Sequence, residues 1–384
     1  MNRLRKICLA IAAPLFCVSG IFAQEKNPAD TTAVTTQAAP QDAASDDTEE
    51  TPPLVVVTPT PEPTPDPEEA VRNYWPEDQL TQAWGPDQVV EHLFFHPVIA
   101  YPQWAFHDCS ATQSEKEGLD DWMVTVDEFK KILDSLYERD YILVRMEDVW
   151  SEYTNEAGET RMQRNTLMLP EGKKPLIFSF DDVNYYPYML EQGFTSKLVV
   201  GEDGDIWAQC TDPYTGETFL TQDLDATTIL DKFVREHPDF SPFGAKGSLS
   251  LTGYQGILGY RTDSAYNTDE YKAEHPDFNF EEERANAAKV VQCLRDDGFE
   301  IASHSWGHRN MGTIPMDKFR EDTDKWANEV ETLTGPCDII LFPFGSDIGD
   351  WHPYDTSSER FQYLYNKGFR YFCNVDSSQY FVQI

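Results

Sequence analysis

The chain has 384 residues, of which 40% are apolar and 25% charged, enough to bury the core of one large domain or two ordinary ones. Its formal charge of −37 argues against nucleic acid and anionic lipid as partners and leaves neutral or cationic ones, uncharged glycans among them. Seven cysteines with no C-x-x-C spacing argue against a zinc–thiolate site, and a core of this size needs no disulfide lattice.

Residues 1–23, MNRLRKICLAIAAPLFCVSGIFA, combine a basic start, an apolar stretch interrupted by Pro14 and a small residue at Ala23. They read as a secretory signal peptide cleaved after Ala23, too short and broken to span a bilayer, so no stable membrane insertion is expected after cleavage. The product would be secreted or associated with the cell surface. Residues 24–85 are rich in Pro, Thr and acidic residues, and TPTPEPTPDP is locally polyproline-like. With little to bury, this segment is expected to be a disordered linker ahead of a folded domain at 86–384.

From about Val89 short apolar runs alternate with amphipathic ones. LFFHPVIA, YILVR, KPLIFSF, TSKLVV, AKGSLSLTG, FEIASH, DIILFPFG and FRYFCNVD read as strands. TVDEFKKILDSLYERD, NYYPYMLEQG, ATTILDKFVREH, FEEERANAAKVVQCLRDDG, PMDKFREDTDKWANEVETLTG and SERFQYLYNKG read as helices, four of them followed directly by glycine. Repeated strand–helix units predict an α/β fold with a parallel sheet of the (β/α) barrel type. Residues 201–223 and 253–280 are expected to be long irregular insertions, of the kind that carry function or decorate.

Three strands end in polar constellations. LIFSFDD closes on Asp181 and Asp182, EIASHSWGH on His304 and His308, and IILFPFG on a loop stiffened by Pro343 and Gly345. Neighbouring residues of a regular strand face opposite ways, so the two aspartates must sit where the backbone turns, at the C-terminal rim where such folds assemble their sites. Taken alone, the aspartates could equally be a helix N-cap and a turn residue, and a His-x-x-x-His pair is weak evidence. Together, one carboxylate and two imidazoles make three protein ligands with a fourth position open to water, the donor set of a catalytic zinc site. A second carboxylate would remain free as a base.

SFDD, HSWGH and FPFG, in that order, resemble the first three motifs of the polysaccharide deacetylases (carbohydrate esterase family four). The resemblance spans residues 90–384. It implies a distorted (β/α)7-type barrel and a divalent metal, zinc before cobalt, nickel or iron, that activates water for hydrolysis of acetamide groups on N-acetylglucosamine-containing glycans. It further implies Asp181 as general base, Asp182, His304 and His308 as metal ligands, and the Phe344 N–H, in the loop with Pro343, as oxyanion donor. The N-terminal order, FFHPVIAYP and a helix before SFDD, is similar to the permuted poly-N-acetylglucosamine deacetylases and implies His96 as the acid, ahead of His92. Tyr185, Tyr186, Trp306 and Trp351 lie near the rim, where aromatic rings stack on sugars, Trp306 being the foremost candidate. A polysaccharide is the expected partner and a monomer the expected state. An O-acetyl esterase, or a glycan-binding barrel without turnover, is the alternative. The chain departs from the family pattern at Val183, at Leu341 where an arginine orients the base, and in lacking a late histidine. Arg261 or Arg309 is the expected substitute for that arginine.

Overall fold

A computed structural model of the chain describes residues 75–350, 352 and 354–374. The expected signal peptide, most of the expected linker and Trp351 lie outside the described residues. Contacts divide the chain at Thr64/Pro65, and the fold concerns the second unit. Within it Gln82–Trp84 already pairs antiparallel with Leu167–Leu169, so folded structure begins ahead of the boundary expected at 85/86.

Seven strands form the central sheet: β1 (Glu91–Phe95), β2 (Tyr141–Leu143), β3 (Lys174–Phe180), β4 (Gly247–Leu251), β5 (Phe299–Ser303), β6 (Ile339–Leu341) and β7 (Tyr371–Cys373). Their order is β7-β6-β5-β4-β3-β1, with β2 also paired to β3, and every pairing is parallel. Among the described residues nothing joins β1 to β7, so the sheet curls without closing, the distorted barrel that the family resemblance implies. Register decides what this does. Phe95 lies opposite Phe180, Phe180 opposite Leu249, Leu251 opposite Ser303 and Ser303 opposite Ile340. The C-terminal ends of β1, β3, β4, β5 and β6 therefore emerge at one rim.

The helices form where their apolar spacing and caps agree. In α1 (Val126–Tyr137), Val126, Phe129, Leu133 and Leu136 are buried along one stripe, and Thr125 with Glu128 closes a capping box at its start. Asp225 caps α2 (Ala226–Glu236), Asn279 caps α3 (Phe280–Asp296) and Ser358 caps α5 (Glu359–Asn366). Helix α4 (Met316–Trp326) starts after Pro315 and buries Phe319 and Trp326. Edge-to-face contacts of Phe95 with Phe129 and Phe178 lie at the centre of the core, where each fully buried phenyl contributes about 1.5–3 kcal/mol. Gly298 ends α3's turn at φ 94°, and a Cβ there would meet the Gly244 carbonyl oxygen at 2.0 Å.

Two expectations about the elements need correction. TSKLVV is a strand, but Lys197–Val200 pairs antiparallel with Ile206–Thr211, which pairs with Thr218–Thr221, in a separate three-stranded sheet. The expected irregular insertion at 201–223 is thus mostly hairpin. Its alternating pattern of buried Ile206, Ala208 and Cys210 is the strand signal. A second arm, Trp150–Thr154 against Thr160–Arg164, is also antiparallel and is not anticipated from the pattern. The five described cysteines are free thiols.

Candidate metal centre

The rim is stitched by four hydrogen bonds between strand ends. The Asp181 N–H donates to the Phe95 carbonyl (2.7 Å) and the His304 N–H to that of Leu251 (2.9 Å). The Phe342 N–H donates to the Cys373 carbonyl (2.8 Å), and His304 Nδ1 lies 2.8 Å from the Leu341 carbonyl oxygen. Immediately beyond the strands the backbone turns sharply. Asp182 (φ 57°), Ser305 (57°), His308 (49°) and Phe344 (61°) all adopt left-handed conformations without being glycine. Such strain persists where the surroundings over-determine it and collects at functional sites. At Asp182 it turns the chain out of β3, which lets two consecutive aspartates serve one site.

Asp182, His304 and His308 each offer a ligand atom, all within 4.8 Å of one another. Their individual settings suit a cation. With the Nδ1 proton of His304 directed to the Leu341 carbonyl, Nε2 keeps its lone pair. Burial lowers the pKa of both imidazoles, partly offset by the Asp182 charge, which keeps them neutral and available as ligands. For Asp182, burial raises the pKa, but the attraction of His304 and His308 when protonated, together with the Tyr186 hydrogen bond, outweighs it and the net shift is downward. Its Oδ1 accepts from the Tyr186 hydroxyl (2.8 Å), and Oδ2 lies 3.6 Å from His308 Nε2. Two nitrogens and one carboxylate oxygen, oriented by neighbours, fit a divalent transition metal.

The loop carrying the histidines is held from α4. Buried Asp322 accepts from the N–H groups of Trp306 (2.7 Å) and Gly307 (2.9 Å), and Ser305 Oγ accepts from the Arg309 N–H (2.9 Å). Asp181 lies beside the ligands, buried, and burial pushes its pKa up to about 6. His96, Ser250 and His308 pull that value down and Asp182 pushes it up, so all four are near neighbours of its carboxyl. His96 Nδ1 is 3.1 Å from the Trp122 carbonyl oxygen. The Pro343–Gly345 turn is bonded through the N–H groups of Gly345 and Ser346, and the Phe344 N–H takes no part in those bonds. The Phe344 ring is 70% exposed and meets His308 edge-on, with centroids 4.5 Å apart.

Asp181, Asp182, His304, His308, His96, Pro343 and Phe344 are therefore brought to one rim, whereas the other candidates are engaged elsewhere. Tyr185 is fully buried, with its hydroxyl donated to Asp225 Oδ2 (2.8 Å), and cannot face a sugar. The Trp306 indole has the Lys325 ammonium 3.4 Å from its ring centroid and donates Nε1–H to Glu329 (3.0 Å), so one face of the ring is already covered. His92 bonds Ser179 Oγ (3.0 Å) lower on β1, its pKa lowered to about 4 by burial. Arg261 donates to the carbonyls of Gln255 and Tyr185 and Arg309 sits beside Asp322, so neither replaces the arginine absent at Leu341. Tyr186 and Asp322 are the supporting residues that motif reading misses. Tyr186, four residues after Asp182, had a spacing signal; Asp322 had none, because its role depends on where α4 packs.

Residues 264–360 match the polysaccharide deacetylase family model, a span that holds HSWGH and FPFG but not SFDD. The family resemblance read from the motifs is borne out over that span. A search of curated proteins finds no match. Among solved structures, a Streptococcus pyogenes deacetylase in complex with acetate is 14% identical, with TM-score 0.35, over 73% of this chain and 80% of its own. IcaB from Ammonifex degensii is 14% identical, with TM-score 0.35, over 77% of this chain and 89% of its own. A polysaccharide deacetylase from Bacillus cereus is 13% identical, with TM-score 0.37, and this chain spans 58% of its length.

Proposed function

From the polysaccharide deacetylase match and the geometry of the rim, we propose that this chain is a secreted or cell-surface, metal-dependent deacetylase that hydrolyses acetamide groups of N-acetylglucosamine-containing glycans. The observation that carries the reading is the convergence of Asp182, His304 and His308 within 4.8 Å, with a second, buried carboxylate beside them. Asp182, His304 and His308 would hold the divalent cation, zinc before cobalt, nickel or iron. When bound, it supplies Lewis acidity to the amide carbonyl and acidifies a water molecule.

The chain's own residues supply the rest. Asp181, with a pKa near 6, is ionised at neutral pH and accepts the proton that water loses as it adds to the carbonyl carbon. The Phe344 N–H, uncommitted in its turn, donates to the oxygen on which negative charge develops. His96, beside Asp181, gives a proton to the nitrogen as the C–N bond breaks. Acetate and a free amine leave. The polysaccharide is the only partner this requires, and the chain works as a monomer.

The test is acetate release by the full chain from N-acetylglucosamine oligomers and from acetylated xylan, after chelation and after adding Zn2+ or Co2+. Metal-dependent release from the oligomers is expected, falling by roughly 100-fold or more in Asp181→Asn with metal binding retained. Release from xylan alone would make the chain an O-acetyl esterase. Metal binding with no release from either would make it a glycan-binding barrel, and an unchanged Asp181→Asn would overturn the mechanism.

A further inference from the structure

Asp181 Oδ1 and Ser250 Oγ are both buried, and neither has a hydrogen-bond partner elsewhere in the protein. They are neighbours. Leu249 of β4 lies opposite Phe180 of β3, so the next residue on each strand is Ser250 and Asp181, and the Val183 N–H is bonded to the Ser250 carbonyl (3.3 Å). Beyond Ser250 the sheet offers no polar alternative, since Ala302 is its partner on β5 and Leu341 belongs to the same apolar cluster as Ala302. Cys373, a further neighbour of Asp181, directs its thiol to Met146 Sδ (3.7 Å). Of the two candidate arginines, Arg261 is hydrogen-bonded elsewhere and Arg309 lies beside Asp322.

For a buried carboxylate oxygen and a buried hydroxyl on neighbouring strands, a hydrogen bond from the hydroxyl to the carboxylate satisfies both, because a hydroxyl proton turns freely and a carboxylate only accepts. We infer that Ser250 is the positioning residue of Asp181: its hydroxyl donates to Oδ1 and holds the carboxylate so that the other oxygen faces the attacking water. This is a neutral substitute for the cationic side chain that Leu341 cannot supply. It fixes orientation without adding a charge that would weaken the base. The inference rests on Asp181 being the base.

The experiment uses the full chain loaded with Zn2+ and three variants, Ser250→Ala, Ser250→Thr and Asp181→Asn, assayed for acetate release from N-acetylglucosamine oligomers. Ser250→Ala is expected to lower kcat about tenfold or more with KM and Co2+ affinity unchanged, and Ser250→Thr, which keeps the hydroxyl, to stay within about threefold of the parent. A crystal structure of Ser250→Ala should show the Asp181 carboxylate rotated or in two conformers. An unchanged kcat in Ser250→Ala, or equal losses in the alanine and threonine variants together with altered Co2+ affinity, overturns the inference. Should Ser250→Ala lose its cooperative melt, Ser250→Cys, isosteric and a weak donor, makes the same comparison with Ser250→Thr. An Asp181→Asn variant that keeps parental activity would instead overturn the assignment of the base.

Discussion

The division of labour proposed for Asp181 and Asp182 arises from one left-handed residue. A strand that continued past Phe180 would send the two side chains to opposite faces; φ 57° at Asp182 brings both into one site, where different neighbours separate their ionisation. Asp182 meets two imidazoles and a tyrosine hydroxyl and stays ionised, whereas Asp181 is buried against Ser250 and keeps a pKa near neutrality. His96 completes the set through β1, and its proposed role makes a distinct prediction. Protonation matters when the leaving group is an amine and little when it is a stabilised phenolate. His96→Asn should therefore cut acetate release from an N-acetylglucosamine oligomer by roughly 100-fold or more while changing hydrolysis of an aryl acetate by less than about fivefold. Equal losses on both substrates would remove the acid role from His96.

At the scale of elements, the loop between β5 and α4 bears both histidines and depends on a carboxylate in the following helix. Asp322 bonds two successive N–H groups of that loop, and burial raises its pKa while those bonds and Arg309 pull it down. Replacing it with alanine strands two donors in a crowded turn, where a Cβ on Gly307 would lie 3.0 Å from Arg309 Nε and 3.1 Å from Asp322 Oδ2. Asp322→Ala should lose about 2–3 kcal/mol of stability by urea denaturation and tenfold or more in Co2+ affinity, whereas Asp322→Asn should keep part of both. If the alanine variant bound Co2+ as tightly as the parent, the loop would be rigid without α4. The antiparallel arms at 150–164 and 197–221 belong to the same scale. Each is a local hairpin added to the parallel sheet, and neither contributes a ligand atom to the rim.

At the scale of the molecule, the two ends of the sheet carry different electrostatics. The candidate site occupies the C-terminal ends of the strands. At their N-terminal ends lie two adjoining polar clefts of about 340 and 350 Å3 that share Glu147 and Asp338. There Glu300, half-buried and accepting from Ser248 Oγ (3.1 Å), has its pKa pushed up to about 7, first by burial and then by Glu147 and Asp338 against the pull of Arg145. A carboxyl whose pKa is raised on folding favours the folded state below its unfolded value and disfavours it as pH rises through the folded value. Relative to the parent, Glu300→Gln should thus be about neutral near pH 4 and more stable by on the order of 2 kcal/mol above pH 7, with the difference appearing between those limits. Urea titrations of the two proteins at pH 4, 6 and 8 measure it. A difference independent of pH would show that Glu300 titrates normally.

The same molecule separates what its sequence determines from what only its tertiary structure decides. The strand–helix alternation, the helix caps and the three strand-ending motifs are local: hydrophobic period, cap residues and motif order are written in consecutive residues, and the sheet and the Asp182–His304–His308 group follow from them. The buried state of Tyr185, the covered face of Trp306, the diversion of Lys197–Val200 into a second sheet and the tie from Asp322 are not local. Each depends on which residues from distant segments arrive alongside, Asp225, Lys325, Ile206–Thr211 and the histidine loop respectively. An aromatic side chain near a rim reads the same in sequence whether it faces solvent or the core, and register decides which. Leu341 marks the boundary between the two kinds of knowledge. Its departure from the family pattern is visible in one letter, but that the vacancy leaves Asp181 Oδ1 facing Ser250 is a consequence of β3 and β4 lying side by side in that register.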